Sequence, residues 1–173
     1  MDLKIYDNII PASVLSQIDT EFTRKLPWNF LVDAGPGDSQ CLGNIIHREN
    51  FGWIENYLLG ILDKNGINTS SINRRVNNCY RRLDKPRYHV DPGETSYMFY
   101  VNSEWKRHWG APTKFKSKLY HLSRKVYPKP GRMVAFSSRL FHKGTSPNFF
   151  MPSSTAGRFS LVFQQYDPNF SYA

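Results

Sequence analysis

Long apolar runs, cysteines and acidic residues are all scarce in this chain of 173 residues. No window approaches the roughly 18 consecutive apolar residues of a membrane span, and the first residues lack the basic start and apolar run of a secretory signal. We therefore expect a cytoplasmic protein with no membrane partner. Cys41 and Cys79 show no Cys-x-x-Cys spacing, which argues against a zinc or redox motif and favours reduced thiols.

The overall composition, with 40% hydrophobic and 15% aromatic residues, is typical of a globular protein and excludes an intrinsically disordered chain. The length fits one domain over residues 1–173. A formal net charge of +9 could attract nucleic acid. Because the lysines and arginines are spread along the chain, we keep a nucleic-acid partner as a hypothesis that we do not favour.

Apolar periodicity predicts two helices in the first part of the chain. Val14, Ile18 and Phe22 form one stripe and predict a helix over 11–25, and a broad apolar face predicts a second over 50–64. Beyond residue 72 the pattern changes to short extended runs separated by Gly, Pro and Asn. We place strands near 72–82, 87–91, 96–102, 119–126, 132–137 and 158–166.

This order of elements predicts an α+β fold that is mainly β. The helices would form a scaffold over about 11–66, packed on the outside of a core over about 72–166. Short strands without intervening helices are typical of antiparallel double-sheet structures, so we expect a double-stranded β-helix, or jelly roll.

His89 and Asp91 lie two positions apart in an extended run, which points both side chains to one face of a strand. The two can therefore offer ligands to one metal. His142 would complete a two-His-one-carboxylate set, which suits Fe(II) and leaves coordination positions open. A His-x-Asp pair arises readily by chance, so histidines with a purely structural role are the alternative.

Arg158 and Ser160 share one face of the last predicted strand. Both faces of this strand carry apolar residues, so we expect it to be covered on both sides, and a buried arginine needs an anionic partner. A guanidinium beside a hydroxyl suits a carboxylate. A dicarboxylate that also chelates the metal through a keto acid end would satisfy both sites.

Several motifs follow one another in a specific order: His89-Val90-Asp91, the runs 97–105, 109–115 and 128–136, His142, and Arg158-Phe159-Ser160. As an ordered set they resemble the prolyl 4-hydroxylase-like group of Fe(II)- and 2-oxoglutarate-dependent dioxygenases. They are similar in particular to short bacterial and phage-encoded members. The resemblance covers about residues 76–166, and for a phage-encoded protein it implies the cytoplasm of the host cell.

The resemblance implies roles for individual residues. The iron ligands would be His89, Asp91 and His142, with no catalytic acid or base beyond them. Arg158 would bind the distal carboxylate of 2-oxoglutarate. Further cosubstrate contacts would come from Tyr100, Tyr80 and Ser160, for which core packing is the alternative.

The implied reaction is hydroxylation of a C–H bond with O2, releasing succinate and CO2, with ascorbate as a supporting reductant. A peptidyl proline in a peptide or protein partner is the favoured substrate. A groove could stack on its ring through aromatic residues: Tyr88, Tyr97, Trp105 and Trp109. The alternatives are a nucleic-acid base, a small amino acid, or a noncatalytic jelly roll that binds nucleic acid or protein; the oligomeric state stays open.

The chain departs from the usual pattern of this group at two places. An acidic residue is usual near Ala111-Pro112, and none occurs here. The segment between His142 and Arg158 is also longer than usual. We expect Phe149, Phe150 and Met151 to form an exposed apolar tip in it, of a kind that often marks a contact surface.

Overall fold

The computed structural model describes residues 3–24, 29–32, 40–44, 48–116 and 123–165. Two α-helices and ten β-strands occur in these residues. The helices are α1 (Ala12–Arg24) and α2 (Arg48–Lys64), and the strands are β1 (Leu3–Tyr6), β2 (Asn29–Val32), β3 (Gln40–Asn44), β4 (Arg74–Tyr80), β5 (Thr95–Tyr100), β6 (Thr113–Lys116), β7 (Ser123–Val126), β8 (Met133–Ser137), β9 (Phe141–Lys143) and β10 (Arg158–Gln164). Neither helix is long and apolar enough to cross a membrane.

Both predicted helices are confirmed, each within two residues of its expected ends. Ile18 and Phe22 on α1 are completely buried, which is the outcome that the apolar stripe predicts. The chain leaves α2 through Gly66, whose φ of +74° is a backbone conformation that glycine adopts without strain.

Seven strands form one antiparallel sheet in the order β1-β8-β5-β10-β4-β3-β2, and three form a second in the order β7-β6-β9. We call them the large sheet and the small sheet. Strand β10 lies at the centre of the large sheet between β5 and β4, and all seven of its residues are buried.

Side-chain alternation in β10 separates two cores. Leu161 and Phe163 face the helices, in a cluster that also contains Ile18 and Leu58. On the opposite face, Val162 joins side chains from both sheets: Met98, Tyr100, Val134 and Phe136 of the large sheet and Phe115 and Val126 of the small sheet. The protein therefore has three layers, with helices outside the large sheet and the small sheet on its other side.

The structure confirms an α+β fold that is mainly β, with the helices on the outside. The described strands form two facing sheets without the hydrogen-bonded closure of a complete jelly roll. The strand predicted over 87–91 is reduced to an isolated bridge at His89. Strand β7 covers only the end of the run predicted over 119–126, and part of that run lies outside the described residues.

Candidate metal and cosubstrate site

The small sheet and the segment before Asp91 place two histidines side by side. His142 lies at the middle of β9, and His89 pairs with it in an isolated antiparallel bridge. The backbone N–H of each histidine donates to the carbonyl of the other, at 2.9 Å in both directions. Because directly paired residues point their side chains to the same face, both imidazoles meet above the inner surface of the small sheet.

Asp91 completes a convergent group of three. Its Oδ1 lies 3.7 Å from Nε2 of His89, and its Oδ2 lies 3.6 Å from Nε2 of His142. One ligand atom from each of the three residues falls within 4.8 Å of the others. Two imidazole nitrogens and a carboxylate at these separations could hold one Fe(II), with coordination positions left for other ligands.

Backbone carbonyls orient both rings. Nδ1 of His142 lies 2.8 Å from the carbonyl of Leu140, and Nδ1 of His89 lies 3.1 Å from that of Arg87. Donation from Nδ1–H leaves the Nε2 lone pair directed at the centre, as in metal-binding histidines. Burial lowers the pKa of His142 against the opposing effect of Asp91, which favours the neutral imidazole that binds metals.

Hydrogen bonds from β5 and from the turn after β8 hold Asp91 in place. The Ser96 hydroxyl on β5 donates to Oδ2 at 2.6 Å, and the backbone N–H of Asp91 donates to the carbonyl of Ser138 at 2.8 Å. Gln164 on β10 in turn donates to the Ser96 hydroxyl at 3.4 Å. Sequence reasoning missed these residues, although Ser96 and Gln164 are polar positions in otherwise apolar strands.

The group is open to solvent on one side only. The His89 side chain is 38% exposed, whereas those of Asp91 and His142 are 10% and 8% exposed. The rings of Phe115 and Phe136 lie 5.9 and 4.8 Å from the His142 ring and close the site behind it. A substrate would therefore approach from the side of His89.

Arg158 is a buried cation, 1% exposed, at the start of β10. Its Nη1 donates to the Thr113 hydroxyl at 3.1 Å and to the Ala111 carbonyl at 3.4 Å, and its Nη2 donates to the Ser160 hydroxyl at 3.2 Å. Its Nε has no hydrogen-bond partner, and no carboxylate within the described part of the chain forms an ion pair with it. A buried guanidinium that contacts only neutral groups is suited to receive a carboxylate.

Two tyrosines surround this guanidinium. The rings of Tyr80 and Tyr100 lie 4.3 and 5.3 Å from its central carbon. The Tyr100 hydroxyl is 2.8 Å from that of Thr113, and burial raises the pKa of Tyr100, so that the phenol keeps its proton. The structure thus brings Tyr80, Tyr100 and Ser160 together around Arg158.

Strand β6 connects the arginine pocket to the histidine pair. Thr113, which bonds to Arg158, and Phe115, which stacks on His142, are two residues apart and both buried. Two residues span about 7 Å of a strand, so the two pockets are neighbours on the inner face of the small sheet. Thr113 was also missed, because nothing in the sequence places Thr113 opposite Arg158.

The four aromatic side chains expected to line a substrate groove lie in three different places in the structure. Tyr97 lies in the core under the helices, on the other face of the large sheet from the His89, Asp91 and His142 group. Trp105 and Trp109 are buried against each other with a ring distance of 5.5 Å, in a cluster that contains Met151. Tyr88 precedes His89 and lies on the outer face of the small sheet, stacked on Phe141.

The apolar tip expected after His142 is smaller than predicted. Phe149 and Phe150 are 76% and 59% exposed and contact each other. Met151 is 2% exposed, because it fills the cluster around the two tryptophans. The prediction is therefore wrong for Met151.

No model of a known protein family matches the chain, and no curated protein sequence matches it. Solved structures do match over almost the whole chain. A prolyl-4-hydroxylase from Pseudomonas putida is 16% identical, with a TM-score of 0.67, over 94% of this chain and 91% of that chain.

Two further solved structures are also similar to this chain. A prolyl hydroxylase from Trichoplax adhaerens, in complex with a hypoxia inducible factor oxygen degradation domain peptide fragment, is 14% identical with a TM-score of 0.69, over 93% of this chain and 81% of that chain. The collagen prolyl hydroxylase vCPH of Paramecium Bursaria Chlorella virus-1, in a 2OG complex, is 12% identical with a TM-score of 0.57, over 93% of each chain. At these identities the likeness establishes a shared fold, and that fold is the one found in all three of these prolyl hydroxylases.

Proposed function

We propose that the protein is an Fe(II)- and 2-oxoglutarate-dependent dioxygenase. The observation that carries this proposal is the buried Arg158, without a carboxylate partner among the described residues, one strand segment away from the converging His89, Asp91 and His142. A simple metal site would leave the buried arginine unexplained. A noncatalytic binding domain would have no use for either group in the interior.

Bound iron and 2-oxoglutarate would supply the chemistry: oxidative decarboxylation releases succinate and CO2, and the oxygen atoms of O2 pass to succinate and to the substrate C–H bond. His89, Asp91 and His142 would hold the iron. Asp91 would offset part of its positive charge and transfer no proton. The two facing sheets would be the halves of the predicted double-stranded β-helix.

Arg158 would bind the distal carboxylate of 2-oxoglutarate. A carboxylate that reached it would exchange weak hydrogen bonds to neutral oxygens for charge-assisted ones. The hydroxyls of Ser160, Thr113 and Tyr100 line the same pocket and could donate to the same carboxylate. Tyr80 would limit the depth of the pocket through its ring.

The substrate that we propose is a peptidyl proline. The three solved structures described above are prolyl hydroxylases, and one of them was solved with a peptide fragment. The opening beside His89 gives a peptide access to the candidate iron. Ascorbate would serve as a supporting reductant.

The first experiment measures succinate formed from 2-oxoglutarate by the Fe(II)-loaded protein without added substrate. We expect slow turnover that His142→Ala abolishes. The matched control is His108→Ala, because His108 is exposed and outside the convergent group. Arg158→Lys keeps the charge but loses the planar fork, so we expect the half-saturating 2-oxoglutarate concentration to rise by about tenfold or more.

If the wild-type protein neither forms succinate nor binds 2-oxoglutarate under anaerobic conditions, the proposal is wrong. If turnover is present, proline peptides are screened next for the mass of one added oxygen. Free amino acids and single-stranded oligonucleotides serve as competing substrates. Oxygen transfer to one of these compounds and to no proline peptide would support the dioxygenase activity but contradict the proposed prolyl substrate.

A further inference from the structure

The outer face of the small sheet carries a cluster of lysines, which we call the lysine face: Lys114, Lys116, Lys125 and Lys143. Thr113 and Phe115 of β6 point inward and are buried, so the alternate residues Lys114 and Lys116 point outward. Lys114 pairs directly with Lys125 of β7 on one side and with Lys143 of β9 on the other. Adjacent strands lie about 4.8 Å apart, so three lysines form a row across the sheet.

These charges repel one another. No described carboxylate lies within 4 Å of any residue of the lysine face. Like charges directly opposite each other on neighbouring strands destabilise a sheet. A bound polyanion would remove this repulsion.

The sequence around the small sheet extends the same imbalance. No Asp or Glu occurs between Glu104 and Asp167, while twelve Lys and Arg residues do. The basic residues are spread along the chain, but over residues 105–166, which include the small sheet, no acidic residue in the sequence offsets their charge.

Two aromatic rings lie within this basic surface. Tyr88 and Phe141 are stacked, with ring centres 5.6 Å apart and planes inclined by 7°, and both are partly exposed. The ammonium groups of Lys116 and Lys143 lie 4.3 and 4.8 Å from the centre of the Tyr88 ring. Lysines for phosphates combined with aromatic rings for bases are the features by which proteins bind single strands without sequence preference.

We propose that the lysine face, with Tyr88 and Phe141, binds single-stranded nucleic acid through its phosphate backbone and a stacked base. An acidic peptide could use the lysines, but it carries no base that could stack on the two partly exposed rings. The surface lies on the opposite side of the small sheet from His142, since Phe141 and His142 point to opposite faces. The proposal is therefore independent of the dioxygenase chemistry.

The test is fluorescence anisotropy with a labelled oligothymidylate of about twelve nucleotides, at several salt concentrations. Four lysine contacts predict a slope of about −3 for log affinity against log salt. The triple variant Lys114→Gln/Lys116→Gln/Lys143→Gln should bind more than about tenfold more weakly, with a slope near −1. Tyr88→Ala should weaken binding by at least about fivefold, and Tyr88→Phe should not.

The matched control is the triple variant Lys4→Gln/Arg24→Gln/Lys64→Gln, which makes the same change in net charge at exposed residues on β1, α1 and α2. It should bind like the wild type. Equal losses in both triple variants would reduce the effect to net charge and overturn the proposal. The absence of binding at the lowest salt would overturn it too, as would tighter binding of a polyglutamate peptide than of the oligonucleotide.

Discussion

Ser96 and Ser160 are buried hydroxyls, and each forms a hydrogen bond with a charged side chain of the candidate site. Ser160 could be connected to Arg158 from the sequence, because the two lie two positions apart on one strand and share a face. Ser96 could not be connected to Asp91 in this way. A turn separates Asp91 from Ser96 and reverses the chain. The periodicity of the strands does not predict which side chains such a turn brings together.

Ser96→Ala should weaken metal binding while leaving the fold intact. The hydroxyl fixes one oxygen of Asp91 at 2.6 Å, and loss of such an outer contact typically lowers metal affinity by about 10 to 100-fold. Calorimetric titration with Mn(II) as a redox-stable substitute measures the change. Ser137→Ala is the matched control, because Ser137 is exposed on the neighbouring β8; equal affinities in all three proteins would contradict the role of Ser96.

Gly144→Ala should destabilise the protein through Tyr80. A Cβ at Gly144 would lie 2.5 Å from Cζ of Tyr80, and the guanidinium of Arg158 lies 4.3 Å from that ring. The ring must therefore shift, at a cost of about 1 to 3 kcal/mol.

Urea unfolding of two glycine variants separates this clash from a general effect of alanine. Gly60 of α2 has no atom within 4 Å of an added Cβ, so Gly60→Ala should increase the free energy of unfolding by about 0.5 to 1 kcal/mol. A Gly144→Ala protein as stable as the wild type would show that Tyr80 moves freely.

At the scale of elements, length decided which strands could be predicted. Strands β5, β8 and β10 are apolar on both faces, and the sequence pattern identifies them. β9 has three residues and β6 has four, which is too short for a periodic pattern. Yet these two strands carry His142 and Thr113, so the sequence predicts the candidate ligands better than the sheet that presents them.

An ion pair connects the end of β1 to the turn before β8. Arg132 donates to both oxygens of Asp7, at 2.6 and 3.0 Å, and Lys129 donates to one of them at 3.2 Å. These contacts, led by the Arg132 hydrogen bond, lower the pKa of Asp7 to about 2 from the ordinary 3.8.

A carboxyl whose pKa is depressed by folding stabilises the fold above its unfolded pKa, and this contribution disappears as the pH falls toward its folded pKa. Wild type should therefore exceed Asp7→Asn in stability at neutral pH by about 1 kcal/mol or less, because the pair is partly exposed. The difference should shrink between about pH 4 and pH 2. Urea titrations across this range measure it, and a constant difference would refute the assignment.

For the whole molecule, the proposed metal and 2-oxoglutarate should raise the melting temperature in two successive steps. A ligand at about one hundred times its dissociation constant adds about 2.7 kcal/mol, or about 5 to 10 °C for a chain of this length. Mn(II) should produce one such shift, and 2-oxoglutarate a second one in its presence. In Arg158→Lys the Mn(II) shift should remain while the second shift falls; loss of both would mean that the variant disturbs the fold.

Ordered motifs predicted the fold class, the two helices and the residues that converge in the candidate site. The packing of the helices and sheets around these residues could not be predicted, because the burial of a side chain depends on which element covers its face of the strand. Tyr97 shows this limit. Its aromatic ring looked available for a substrate, but its position in β5 points it under the helices, into the core that contains Phe163.

The reciprocal pairing of His89 with His142 joins two segments that are far apart in the chain. A contact of such high contact order forms late, after the intervening loop has closed. An ion added during refolding would therefore find its ligands assembled only when most of the sheet is already in place. The ion would slow unfolding without speeding the search for the native state, and its benefit to the cell would be a longer lifetime of the folded protein.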